Sequence, residues 1–265
     1  MGIDPMKLPV REHAEEVLDT VSRSAMSIVI GETGSGKTTQ LPQMLLDAGI
    51  AGKGAIAVTQ PRRVAAISVA RRVAEERGSR IGGEVGYAVR FDECTSAHTR
   101  IKYVTDGTLL RELLDDAQLS RYSVVILDEA HERSLNTDIL FALLKQIVHT
   151  RTSDFKVVVM SATLNSNQLS LYFDSCPVLT VPGRQFPVEI IHARENHVKD
   201  YQSAAVSTVV DIHMHQPPGD ILVFFTGQGE IMKAVRQISE EVRSNARVFW
   251  QLTETDSTEV LKQAL

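Results

Sequence analysis

Residues 31–38 read Gly31-Glu32-Thr33-Gly34-Ser35-Gly36-Lys37-Thr38, an unbroken G-x-x-x-x-G-K-T pattern. It constrains the fold more than any other stretch, because such a loop is useful only where a strand delivers it and a helix leaves it. The apolar run Ser27–Ile30 precedes it and reads as a short buried strand. The stretch Thr38–Asp47 follows and reads as a helix. In that setting several backbone N–H groups, the positive end of a helix dipole and one ammonium face the same point, which is an anion site. Glycines let the backbone approach phosphate oxygens closely. Lys37 is placed to reach β- and γ-phosphates, with Thr39 beside it. The Thr38 hydroxyl is a candidate ligand for Mg²⁺.

Downstream of the loop the chain alternates. Apolar runs at Ala55–Thr59, Ile101–Thr105, Val124–Leu127, Val157–Met160 and Val178–Val181 predict strands. Amphipathic stretches at Arg63–Glu76, Thr108–Asp115, Thr137–Val148 and Gln168–Phe173 predict helices. Such alternation specifies an α/β fold, a mostly parallel sheet with helices on both faces. Val124–Leu127 and Val157–Met160 are continuously apolar, as central parallel strands are. The turn-rich segment Pro182–Pro187 reads as a linker. Beyond it, a helix over Tyr201–His213, a strand over Ile221–Phe225 and a helix from Gly229 to Val242 begin a second unit. Residues 1–7 read as a disordered leader, 8–182 as the first domain, and 183–265 as linker plus an incomplete second domain.

Asp128-Glu129-Ala130-His131 follows the strand Val124–Leu127 directly. A carboxylate at the C-terminal end of a strand beside a phosphate loop lies next to bound phosphates. Asp128 is therefore a candidate metal ligand. Glu129 is a candidate to orient and deprotonate an attacking water, and completes the candidate magnesium set of Thr38, Asp128 and Glu129. Charge narrows the partners. With 28 basic and 33 acidic residues the formal charge is −5, which argues against nucleic-acid binding by bulk charge but not by a few local contacts. No apolar run approaches the ~20 residues needed to cross a bilayer, and no membrane partner is expected. Two cysteines, Cys94 and Cys176, are too few for a disulfide framework, which suits an intracellular compartment.

Six motifs in fixed order resemble the DEAH-box RNA helicases of superfamily 2. They are the loop at Gly31–Thr38, Thr59-Gln60-Pro61-Arg62-Arg63-Val64-Ala65-Ala66, Thr105-Asp106-Gly107, Asp128-Glu129-Ala130-His131-Glu132-Arg133, Ser161-Ala162-Thr163, and Leu222-Val223-Phe224-Phe225-Thr226-Gly227-Gln228. The resemblance runs from Leu8 to Ser239. It implies a RecA-like first lobe with part of a second, ATP or ADP with Mg²⁺ as cofactors, single-stranded RNA as partner and an activating protein as a further one. It also implies a nuclear setting in RNA processing, and a monomer is the simplest state. By resemblance, Ser161 and Thr163 couple nucleotide state to lobe movement, and His131 bridges the nucleotide site and the second lobe. Arg72 resembles the family arginine that stacks on the base; its alternative is a solvated arginine. Arg62, Arg63, Thr105, Asp106, Gly107, Arg90, Thr226 and Gly227 are implied RNA contacts. Phe91 is either another or a core aromatic. The family's Q-x-x-G-R-x-G-R segment finds no match after Gly227, so slow hydrolysis by this chain alone is expected. A short nucleotide- and RNA-binding regulator is the alternative reading.

Overall fold

The computed structural model describes residues 5–152, 154–162, 166–183, 187–194 and 200–244. It divides into two units, Met1–Phe186 and Pro187–Leu265. In chain order the first unit contains α1 (Pro9–Glu12), α2 (Ala14–Arg23), β1 (Met26–Gly31), α3 (Lys37–Asp47), β2 (Ala55–Gln60), α4 (Arg63–Glu76), β3 (Val85–Val89) and β4 (Asp92–Cys94). It continues with β5 (Ile101–Thr105), α5 (Asp106–Asp115), β6 (Tyr122–Leu127), α6 (Leu135–Thr150), β7 (Lys156–Ser161), α7 (Ser166–Tyr172) and β8 (Val178–Val181). The six expected strands and five expected helices of this unit all form, within one or two residues at most ends. Helix α2 and the β3–β4 hairpin were not foreseen. Gly86 breaks the apolar run of β3, and β4 is two exposed acidic residues and a half-buried cysteine with no strand pattern.

Among the described residues the sheet has eight strands in the order β4-β3-β5-β2-β6-β7-β1-β8. Every pairing is parallel except the β3–β4 hairpin. Successive strand residues feed opposite faces. Val124, Ile126 and Val158 pack with Leu41, Ala70 and Val73 beneath α1–α4. Val125, Leu127, Val157 and Val159 pack with Leu109, Leu140 and Leu144 beneath α5–α7. Both faces being covered explains why these central strands read as unbroken apolar runs.

Parallel pairing puts the C-terminal ends of β3, β5, β2, β6, β7 and β1 side by side along one edge. The phosphate loop leaves β1, Ser161 ends β7, Asp128 follows β6 and Gln60 ends β2. Helix α5, with Gly107 in its first turn, follows β5, and the turn at Phe91 follows β3. Order in the sheet, not in the chain, thus makes neighbours of segments up to about 130 residues apart.

The second unit contains α8 (Tyr201–His215) and α9 (Gln228–Ser244), which bury Val206, Ala234 and Val242. The strand expected at Ile221–Phe225 does not form; Leu222 and Phe224 are exposed. The described residues of this unit contain no strand to pair with it, and an unpaired run satisfies no ladder hydrogen bonds. Residues 245–265 lie outside the described residues.

Candidate functional site

The phosphate loop is shaped by its glycines and by the chain before it. Gly34 and Gly36 sit at φ +84° and +89°, where L side chains are strained. A Cβ on Gly36 would also meet the Leu8 side chain at 2.9 Å. The segment ahead of the loop, far from idle, forms a 3₁₀ turn at Pro5–Lys7, and the Val10 N–H donates to the Ser35 carbonyl at 3.0 Å. Glu32, Thr33 and Gly34 are exposed on the rim, and Ser35 is buried. Lys37 folds into the loop. Its ammonium donates to the Gly31 carbonyl, to the Glu32 carbonyl at 3.0 Å and to Ser35 Oγ at 3.4 Å. Burial pushes its pKa down from the ordinary value, with Asp128 and Glu129 pulling the other way.

Asp128 is the junction of the site. Its buried carboxylate accepts from Thr38 Oγ1 at 2.5 Å and from Gln60 Nε2 at 2.5 Å on one oxygen, and from the Glu129 N–H at 2.9 Å on the other. Desolvation raises its pKa to about 6, against the opposing effect of the hydrogen bond from Thr38. Thr38 and Asp128 offer hard oxygen donors side by side, the type that suits Mg²⁺ when phosphate and water complete its shell. Glu129 adopts φ +51° and is half-buried beside them. Gln60 carries no role of its own in the Thr59–Ala66 motif read from the sequence; its contact with Asp128 joins β2 to the end of β6. No sequence signal announces that contact, since 68 residues separate the two.

His131 Nδ1 lies 3.5 Å from Glu129 Oε2 and 3.5 Å from the Ala162 N–H. The histidine therefore bridges the Asp-Glu-Ala-His turn and the Ser161-Ala162 strand end inside this unit. Ser161 is buried at the end of β7, paired in register with Ile30. Thr163 lies outside the described residues.

A cleft of about 320 Å³ opens over the loop, lined by Pro5, Leu8, Gly34, Lys37, Thr38 and Thr39, with Arg72, Glu76 and Glu129 on its wall. Arg72 is thus on the wall of the cleft over the loop, half-exposed, with Nε donating to Glu76 Oε1 at 2.8 Å. A larger cavity of about 620 Å³ lies between α5 and α6, remote from this chemistry.

The implied RNA contacts divide. Arg62 and Arg63 are exposed where α4 begins, and Arg62 Nη2 sits 3.4 Å from Glu132 Oε1. Arg90 and Phe91 form the tip of the β3–β4 hairpin. Phe91 is 89% exposed at φ +67°, with the Arg90 guanidinium 4.8 Å from its ring centre, so it is not a core aromatic. Thr105 caps α5, accepting from the Thr108 N–H at 3.3 Å, and Gly107 is exposed. Asp106 is different. It is buried, and one oxygen accepts from Thr137 Oγ1 at 2.6 Å and Ser134 Oγ at 3.2 Å. Its carboxylate pins the start of α5 to the start of α6 and is turned away from solvent. In the second unit Thr226 donates to Glu230 Oε2 on α9, from its hydroxyl at 2.8 Å and from its N–H at 3.1 Å; Gly227 lies open beside it.

A phosphate loop, a strand-end Asp-Glu pair bonded to it and a buried glutamine on the neighbouring strand now stand in one place. The family model for DEAD/DEAH box helicases matches residues 11–171. The chain belongs to the DEAD/DEAH box helicase family. The match runs from within α1 into α7 and takes in β1 to β7 and every residue that lines the cleft except Pro5 and Leu8. Its family activity is ATP-driven work on nucleic acid, with Mg²⁺ as the usual companion of ATP. No helix among the described residues is long and apolar enough to cross a membrane.

Proposed function

We propose that this chain carries the motor core of a DEAH-type RNA helicase, hydrolysing ATP in response to single-stranded RNA. One observation supports it above the others: a single carboxylate, Asp128, is hydrogen-bonded to the phosphate-loop Thr38 and to Gln60 at the head of the Arg62-Arg63 segment. A change at either partner reaches the residue that faces the phosphates.

In this reading the loop N–H groups and Lys37 hold the β- and γ-phosphates, and Arg72 lies against the base. Thr38 and Asp128, with Glu129 nearby, would hold Mg²⁺, which supplies charge neutralisation on the phosphates when bound. Glu129 accepts the proton of a water whose oxygen attacks the γ-phosphorus. The bond to the β-phosphate oxygen breaks, and ADP and phosphate leave. His131 and Ser161 link that chemistry to the neighbouring strand end. RNA lies along the other half of the sheet edge, where Arg62, Arg63, Arg90, Phe91, Thr105 and Gly107 come from adjacent strands. The basic residues and helix N-terminus suit phosphates, and the exposed Phe91 suits a base face. Thr226 and Gly227 would add contacts from the second unit.

The test is ATP binding and turnover with single-stranded RNA, single-stranded DNA or neither, in the wild type, Lys37→Ala and Glu129→Gln. Lys37→Ala should lose nucleotide binding; Glu129→Gln should bind but not turn over. Turnover raised by RNA and not by DNA supports the assignment, whereas equal stimulation by both, or by neither, removes the RNA part of it.

A further inference from the structure

Glu76, the last residue of α4, lies in the wall of the cleft over the loop and has no part in phosphoryl transfer, and yet its carboxylate accepts three hydrogen bonds. Its side chain is only 10% exposed. Oε1 accepts from Arg72 Nε at 2.8 Å, while Oε2 accepts from Gln40 Nε2 at 2.8 Å and Gln43 Nε2 at 2.9 Å. Both glutamines are buried on α3, the helix that the phosphate loop opens. Gln40 is itself held, since its Oε1 accepts from Arg11 Nε at 3.1 Å. Burial works against ionisation of Glu76, but the bonds from Gln40, Arg72 and Gln43 outweigh it and hold its pKa below the ordinary carboxylate value.

The consequence is geometric. Arg72 is on the wall of the cleft, and an unrestrained arginine gives up substantial rotamer freedom when it settles on a ligand. Glu76 takes the Nε–H, the one donor on the stem side of the guanidinium. The two Nη groups and the planar face stay available. The same carboxylate ties Arg72 to α3, so the distance from guanidinium to phosphate loop is set before a nucleotide arrives. Fixing a binding group in advance strengthens binding by lowering the ordering cost.

We propose that Glu76 is a positioning residue for the nucleotide base, acting through Arg72 by linking it to Gln40 and Gln43 on the phosphate-loop helix. The inference rests on the reading that Arg72 lies against the base. A scaffold role, in which Glu76 merely joins α4 to α3, makes a different forecast.

The experiment measures dissociation constants for ATP and for inorganic tripolyphosphate, which has the phosphates and no base. The proteins are the wild type, Glu76→Ala, Glu76→Gln, Arg72→Ala and the double variant Arg72→Ala/Glu76→Ala, with thermal melts as the folding control. Loss of a well-placed cation over a ring corresponds to an affinity change of about 3- to 30-fold. Glu76→Ala should weaken ATP by that much and leave tripolyphosphate unchanged. Glu76→Gln, which keeps an acceptor for Arg72, should lose less; it also serves as the readout if Glu76→Ala does not fold. In the Arg72→Ala background, Glu76→Ala should change nothing further. A Glu76→Ala effect that persists in that background, or that is equal for tripolyphosphate, overturns the proposal in favour of the scaffold role. Arg72→Ala without effect on ATP would instead overturn the base reading on which it rests.

Discussion

Tyr103→Phe deletes one oxygen from the centre of the domain, and its cost can be worked out beforehand. In an α-helix the carbonyl of residue 38 is served by the N–H of residue 42. Residue 42 is Pro42, inside α3, and proline has no N–H. The structure fills the gap from another element: Tyr103, fully buried on β5, donates its hydroxyl to the Thr38 carbonyl at 2.9 Å. Burial, together with the negative charges of Asp128 and Glu76, holds the Tyr103 pKa well above the ordinary phenol value, so the group stays a donor. Removing the hydroxyl leaves the half-buried Thr38 carbonyl without that partner at a cost of about 1–3 kcal/mol, while the ring still fills its space. For a domain of this size that is roughly 2–4 °C of Tm per kcal/mol. Urea unfolding followed by far-UV circular dichroism should be run on four proteins: the wild type, Tyr103→Phe, Pro42→Ala and the double variant. Pro42→Ala restores an N–H, so Tyr103→Phe should cost markedly less in that background. A cost below about 0.5 kcal/mol in the native background, within the range of ordinary neutral surface changes, would refute the reasoning. So would an undiminished cost beside Pro42→Ala.

Other consequences are equally direct. The Asp128 carboxyl is raised to about 6 from an ordinary 3.8, so between those values the folded protein holds a proton that the unfolded chain has released. Stability should fall through this group as pH rises from about 4 to 6, and Asp128→Asn should flatten that part of the denaturation-against-pH profile; an unchanged slope would contradict the assignment. Gly54→Ala places a Cβ 2.0 Å from Ser123 Oγ and 2.9 Å from the Ser123 backbone nitrogen. The turn into β2 must shift, and urea titration should show a loss of about 1–3 kcal/mol. Asp106→Ala strips the shared acceptor from Ser134 and Thr137; it should lower the melting temperature while ATP affinity, measured by calorimetry, holds. Phe91→Ala should leave stability within ±0.5 kcal/mol, because the ring is 89% exposed, yet weaken single-stranded RNA binding in a filter assay by the ~1–3 kcal/mol of a lost stacking platform.

How much of this was legible beforehand depended on the range of the interaction. Helix α4 appeared at Arg63–Glu76 because its pattern is local and periodic, and β5 and β8 appeared at their observed ends for the same reason. The strand expected at Ile221–Phe225 had the right composition, but a strand exists only through its neighbours, and none is present among the described residues of that unit. Asp106 shows the same limit in the site. Resemblance implied it as an RNA contact, but no local pattern announces the two hydroxyls about 30 residues away that claim its carboxylate. Phe91 was open between an RNA contact and a core aromatic, and a hairpin tip with positive φ, which puts the ring in solvent, removes only the second.

By itself the sequence determined the phosphate loop, the Asp-Glu pair and the alternating α/β order, because each is written in adjacent residues whose chemistry is local. Only the tertiary structure decided which of them meet. The parallel order β2-β6-β7-β1 brings Gln60, Asp128, Ser161 and the loop to one edge. Packing of α4 on α3 sets Glu76 between Arg72 and two glutamines, and β5 supplies the donor that Pro42 lacks. Those contacts depend on hydrogen-bonding partners 30 or more residues apart in sequence or on the face of a helix, and no local pattern of residues encodes such a distance.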